Sequence, residues 1–132
     1  MKLISCHIEN FGALANYDIT FNDGLTALYA PNGGGKSTLA AFIKAMFYGL
    51  PADSSRSRFN ERRHYYPFTG GKFGGNVVFE WRGSVYRAER FFDRTSGDDI
   101  KVYRDGAPYN GFQGGGVGLA VFGLDEQSFV NT

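Results

Sequence analysis

Ala30-Pro31-Asn32-Gly33-Gly34-Gly35-Lys36-Ser37-Thr38 is the stretch on which the reading of this chain turns. It matches the phosphate-loop pattern G-x-x-x-x-G-K-[ST], with Ala30 standing where the first glycine would be. Glycines let successive backbone N–H groups curl inward around an anion. A helix N-terminus adds unpaired donors and a partial positive charge. In such a loop Asn32, Gly33, Gly34, Gly35, Lys36, Ser37 and Thr38 hold the nucleotide. Lys36 reaches the β- and γ-phosphates and is the residue expected to matter for catalysis. Ser37 ligates Mg²⁺, and Thr38 donates to the α-phosphate. A lysine in the first turn of a helix opposes the macrodipole, a conflict that a bound polyphosphate relieves. The bland alternative is a glycine-rich turn that binds nothing.

The flanks have the required form. Residues 25–30 are apolar on both faces apart from Thr26, as in a central strand covered on both sides. Downstream, Leu39, Phe42, Ile43, Met46 and Phe47 fall at i, i+3, i+4, i+7 and i+8, one apolar stripe at the helical period. Gly49 and Pro51 stop that helix. Upstream, Ile4, Cys6 and Ile8 alternate with polar residues, as do Tyr17, Ile19 and Phe21, giving two strands, and Asn22-Asp23-Gly24 is a turn. After the helix, residues 52–75 read as irregular, closed by Gly70-Gly71 and Gly74-Gly75. Val77, Phe79 and Trp81 alternate as a strand that turns at Gly83-Ser84 and returns over 85–91. Residues 100–104, Asp105-Gly106 and 107–109 form a second, shorter hairpin. Gly111 and Gly114 to Gly116 form a joint, and 117–132 hold one or two short helical turns. The fold class is α/β, with a mixed sheet around one phosphate-loop helix and added β-hairpins.

Composition bounds the rest. The 132 residues are 42% hydrophobic and 17% aromatic, which suits one cored domain and excludes general disorder. A net charge of +1 excludes a uniformly basic nucleic-acid binder. The single cysteine, Cys6, reads as a buried apolar residue in a reducing compartment. The start shows no signal-peptide layout, and the apolar run 39–43 is too short for a membrane, so a cytoplasmic location is expected.

Phosphate loops act with a second strand ending in Asp or Asp-Glu. The nearest imitation here is Val121-Phe122-Gly123-Leu124-Asp125-Glu126, where Gly123 interrupts the strand. Asp125 reads better as the cap of a short helix through Ser128-Phe129. The chain therefore carries a nucleotide cradle without the second half of a catalytic site. That weighs against a compact P-loop kinase or GTPase. A DNA-binding module with a vestigial loop is the non-enzyme rival.

Further stretches point one way together. They are Ile8-Glu9-Asn10-Phe11-Gly12, the phosphate loop with its helix down to Gly49, Tyr65-Tyr66-Pro67-Phe68, Gly70-Gly71-Lys72-Phe73-Gly74-Gly75, Tyr86-Arg87-Ala88-Glu89-Arg90 and Val121 to Phe129. With them the chain resembles the N-terminal part of the ABC-type ATPase heads of the SMC, SbcC and RecF group, nearest to YhaN-type bacterial AAA proteins. The resemblance covers nearly all of residues 1–132. It implies a P-loop NTPase fold, ATP and Mg²⁺ as ligands, a second head as homodimer partner, and DNA and a nuclease as associates in repair or chromosome maintenance. It further implies a coiled coil and a C-terminal half of the head outside these residues, so that the chain alone does not hydrolyse ATP. Gln113 and Gln127 fit the family's glutamine position poorly, and Gly12 stands where several relatives carry a basic residue. The basic segment 56–72 has two readings. Arg62 and Arg63 could contact nucleotide or DNA phosphate, with Tyr65, Tyr66 and Phe68 stacking on bases. Otherwise it is a solvated loop with its aromatics packed on the sheet.

Overall fold

The computed structural model describes residues 1–21, 36–51, 60–67, 70–112 and 116–123, with the backbone alone at 36 and 37. The expected strand over 25–30, most of the glycine loop, Phe68, Asp125 and Glu126 lie outside the described residues. Strand β1 spans Lys2–Phe11 and β2 spans Leu14–Thr20. Helix α1 runs Lys36–Tyr48 and a short α2 runs Glu61–Tyr65. Then come β3 (Phe73–Trp81), β4 (Ser84–Phe92), β5 (Asp98–Arg104), β6 (Ala107–Pro108) and a final short helix α3 (Val117–Phe122). The strands form one sheet in the order β2-β1-β3-β4-β5-β6. Every described pairing is antiparallel, so the mixed sheet expected from the sequence is antiparallel throughout the described residues.

Helix α1 lies on one face of this sheet against β1, β3 and β4. The stripe Leu39, Phe42, Ile43, Met46 and Phe47 is buried as its spacing demands. It meets Phe11, Val77 and Phe79 in the core, with Phe42 edge-on to Phe11 and Phe47 tilted against Phe79. The helix stops at Gly49, whose φ of 82° only glycine adopts readily and whose N–H reaches back to the Ala45 carbonyl at 2.8 Å. Cys6 is buried in the same core, and burial, aided by the charge of Asp18, pushes its thiol up to about 12.

β1 shows why simple alternation under-reads a strand. Its core residues are Leu3, Cys6, Ile8 and Phe11, a spacing of three, two and three. The two triple steps coincide with register shifts against β3, between Leu3 and Ser5 and between Ile8 and Asn10. Each bulge adds one residue and returns the next apolar side chain to the core face.

Residues 52–75 depart from expectation: they are not irregular throughout. α2 is a capped turn of helix, with the Asn60 Oδ1 accepting from the Arg63 N–H at 3.1 Å. Gly74 and Gly75 lie inside β3 rather than in a loop. A side chain at Gly74 would run into the Arg90 carbonyl, and one at Gly75 into the His7 carbonyl, so the glycines mark close backbone approach. The β3–β4 turn sits at Arg82-Gly83, one residue earlier than read, with φ of 51° and 79°. Asp105-Gly106 turns β5 into β6 as expected. The short helix expected in the tail is α3, which ends on Gly123 at φ 69°.

Candidate functional site

Lys36, Ser37 and Thr38 are the first three residues of α1, so the end of the motif forms the first turn of a 13-residue helix. Asn32, Gly33, Gly34 and Gly35 lie outside the described residues. No acidic residue stands in that first turn, so no carboxylate on it competes for the donors or cancels the dipole. One ammonium and two hydroxyls, with no carboxylate, is a donor set that fits a polyphosphate and a hard cation at its oxygens.

Two other elements close on this end of α1. Gly12, in the β1–β2 turn, has φ +61°, and a side chain there would meet Tyr65 Cδ1 at 3.2 Å and Thr38 Cγ2 at 3.5 Å. The turn, the end of α2 and the start of α1 therefore converge. The Gly12 N–H donates to the Tyr65 carbonyl at 2.6 Å, and the Tyr65 ring stacks on Phe11 at 4.6 Å. Burial, followed by the nearby Glu61 charge, raises the Tyr65 phenol above its ordinary range. Lys44 on α1 pairs with Glu61 on α2 at 2.7 Å, which fixes α2 alongside α1.

The basic segment divides. Arg62 is only 2% exposed. Its guanidinium donates to the carbonyls of Leu50, Pro51, Asp93 and Gly97 at 2.7 to 3.0 Å and lies over the Phe92 ring. The expectation that Arg62 contacts a ligand phosphate is corrected: its donors are committed to the chain's own backbone. Arg63 is exposed. Tyr65 and Tyr66 follow the packed reading, with Tyr66 edge-on to Phe73 and Arg94 over its ring. Asn60 followed by Glu61, a capping residue and then a carboxylate in the first turn, is the sequence signal that marks α2. Nothing local marks Arg62, because its partners come from two distant segments.

Arg90 joins Arg62 at the far end of α1. It is buried on β4, 3.4 Å from Asp98, with its Nη1 where a Gly49 side chain would lie. Burial lowers its pKa, against the pull of Asp98. Among the described residues no helix is long and apolar enough to cross a membrane.

A helix that opens on Lys-Ser-Thr and packs on a sheet agrees with the AAA domain model, which matches residues 5–117. The chain belongs to the AAA domain family, whose members are P-loop NTPases. Within it, the chain is 32% identical over 108 residues to the uncharacterized protein YhaN of Bacillus subtilis, covering 80% of this chain and 10% of YhaN. It is 32% identical over 113 residues to the DNA double-strand break repair Rad50 ATPase of Methanosarcina acetivorans, covering 80% and 10%. To the Rad50 ATPase of Methanocaldococcus jannaschii it is 30% identical over 137 residues, covering 100% and 13%. The resemblance to SMC- and Rad50-like ATPases holds, and the chain spans about a tenth of the length of these curated relatives.

Proposed function

We propose that residues 1–132 are the N-terminal part of an ATPase head that binds ATP, and that hydrolysis belongs to the larger protein of which such a head is a part. The observation that carries this is the first turn of α1: Lys36, Ser37 and Thr38 open a long helix whose first turn holds no carboxylate. Backbone amides of 32–38 cradle the phosphates, and Lys36 adds a point charge at the β- and γ-positions. Ser37 is the residue to hold Mg²⁺, which when bound offsets charge on the phosphate oxygens. The Asp-Glu pair and the general base come from outside this chain. The Rad50 relatives, DNA double-strand break repair ATPases by name, support a DNA-associated role. On this reading two heads close on ATP and reposition DNA or a partner nuclease, in the cytoplasm, and Arg63 is the basic-loop residue that touches phosphate.

The test is ATP binding by calorimetry in the presence of Mg²⁺. Lys36→Ala weakens affinity by about a hundredfold, the worth of a charge-assisted phosphate contact. Unchanged affinity would sink the proposal. For Arg63, Arg63→Ala lowers DNA affinity and flattens its salt dependence by about one unit of slope. Identical salt slopes for the two proteins would remove Arg63 from the interface.

A further inference from the structure

α2 is five residues long, too short to hold a helical form alone, so its place is set by what it touches. Glu61 and Tyr65, at i and i+4, share one face of it. Glu61 meets Lys44 of α1, with Oε1 2.7 Å from Nζ. Tyr65 and Thr38 flank one point above Gly12, at 3.2 and 3.5 Å from where a side chain there would begin. Thr38 to Lys44 is about 9 Å along α1, and Glu61 to Tyr65 is about 6 Å along α2. The short helix therefore runs antiparallel to the long one, its first residue at the middle of α1 and its last at the first turn.

A shift of α2 along α1 is felt at that first turn. The Tyr65 carbonyl accepts the Gly12 N–H at 2.6 Å, and the Tyr65 ring lies flat on Phe11 with His64 edge-on to it. The β1–β2 turn is thus bonded to α2. With Tyr65 Cδ1 so near Gly12, α2 has no slack in which to slide without moving the turn. Arg62 ties α2 to the Leu50 and Pro51 carbonyls past the far end of α1, whereas Glu61 sets its level against the body of that helix. The two side chains of the Lys44–Glu61 pair are only 17% and 19% exposed, so it is screened less than a surface pair. We infer that Lys44 and Glu61 are positioning residues of the nucleotide site. Their pair holds Tyr65, and through it the Gly12 turn, against Thr38, and so raises the affinity for ATP. The inference rests on the ATP-binding reading above.

The test is ATP affinity by calorimetry on the full-length protein with Mg²⁺, read beside hydrogen–deuterium exchange resolved to single amides. Lys44→Met keeps the length of the stem and removes the charge, and it weakens ATP binding about tenfold. Glu61→Gln, close to isosteric, weakens it about fivefold. The double variant binds no more weakly than Lys44→Met, because both changes break the same pair. Lys44→Arg, which keeps the charge, stays within about twofold of the parent. In Lys44→Met the Gly12 amide exchanges at least about tenfold faster, while that of Ala88, buried in the middle of β4, keeps its rate. A general loss of stability would speed both amides. Four results would each overturn the inference. These are equal ATP affinity in Lys44→Met, an unchanged Gly12 amide, additive losses in the double variant, and a loss in Lys44→Arg as large as in Lys44→Met. A parent protein that binds no ATP would end the reading of the site itself, and this inference with it.

Discussion

The two ends of α1 are treated in opposite ways. Its C-terminal end carries no basic residue in the last turn, yet two buried arginines from elsewhere attend it. Arg62 binds the Leu50 and Pro51 carbonyls just past the helix, and Arg90 lies against Gly49. The negative end of the dipole is thus neutralised inside the fold. Its N-terminal end has no acidic residue in the first turn, and the sequence puts a lysine there instead. Two buried arginines at one end and no carboxylate in the first turn at the other are what the proposed phosphate site requires.

The largest effect follows from breaking the neutralised end. Arg62→Ala removes a guanidinium that satisfies four carbonyls from two otherwise separate segments. A loss of about 3–5 kcal/mol in urea denaturation is expected, because four hydrogen bonds to a charged group are strong and the guanidinium that makes them is itself buried. Arg62→Lys recovers only part of it, since an ammonium cannot reproduce the planar fork. A change below about 1 kcal/mol for Arg62→Ala would mean that the network is incidental.

The other end should break binding and spare the fold. Lys36→Ala, which abolishes tight ATP binding on the reading above, leaves stability unchanged or raises it by about 0.3–1 kcal/mol, because it removes a cation from the positive end of a dipole. Destabilisation together with lost binding would make Lys36 a structural residue and erase the contrast. Between these extremes lies Gly12→Ala. Its φ of +61° and the 3.2 Å approach to Tyr65 cost about 1–2 kcal/mol, with the docking of α2 loosened as well. The Tyr65–Phe11 stack then shows it as a change in aromatic circular dichroism.

How much of this was legible depended on whether the determinant was local. The stripe from Leu39 to Phe47 could be read because every residue answers to one period and one sheet face. Asp105-Gly106 could be read because the turn chemistry is contained in two residues. β1 was under-read because its two bulges break the two-residue period at Ile4 and Glu9, and only pairing with β3 reveals them. Gly74 and Gly75 read as loop residues for the same reason: crowding by the Arg90 and His7 carbonyls is set by neighbouring strands. Arg62 looked like Arg63 because the two differ only in which side of a five-residue helix meets carbonyls from residues 50, 51, 93 and 97. Of the site, the residue types at the helix start were plain in the sequence. The approach of Gly12 and Tyr65 to Thr38 was not, because three separate elements make it.

The smallest effect lies at the opposite edge of the sheet from β5 and tests whether charge on the sheet face away from α1 matters at all. His7 of β1 lies between two carboxylates, with Nδ1 2.7 Å from Asp18 Oδ1 on β2 and Nε2 3.0 Å from Glu9 Oε1. On its other flank the register brings Asn76 of β3, which carries no charge. The hydrogen bond to Asp18, then that to Glu9, raises the His7 pKa above its ordinary 6.5. A raised folded-state pKa means that the bridge stabilises fully below pH 6.5 and is lost as pH rises through the folded value. The groups are solvent-screened, so the difference between pH 5.5 and pH 8.5 is about 0.5 kcal/mol. Asp18→Asn should lower the His7 titration midpoint in an NMR titration and flatten that slope, while Asn76→Ala leaves both unchanged. A midpoint at or below 6.5 in the parent protein would show that the β1–β2 edge is held by its backbone ladder alone.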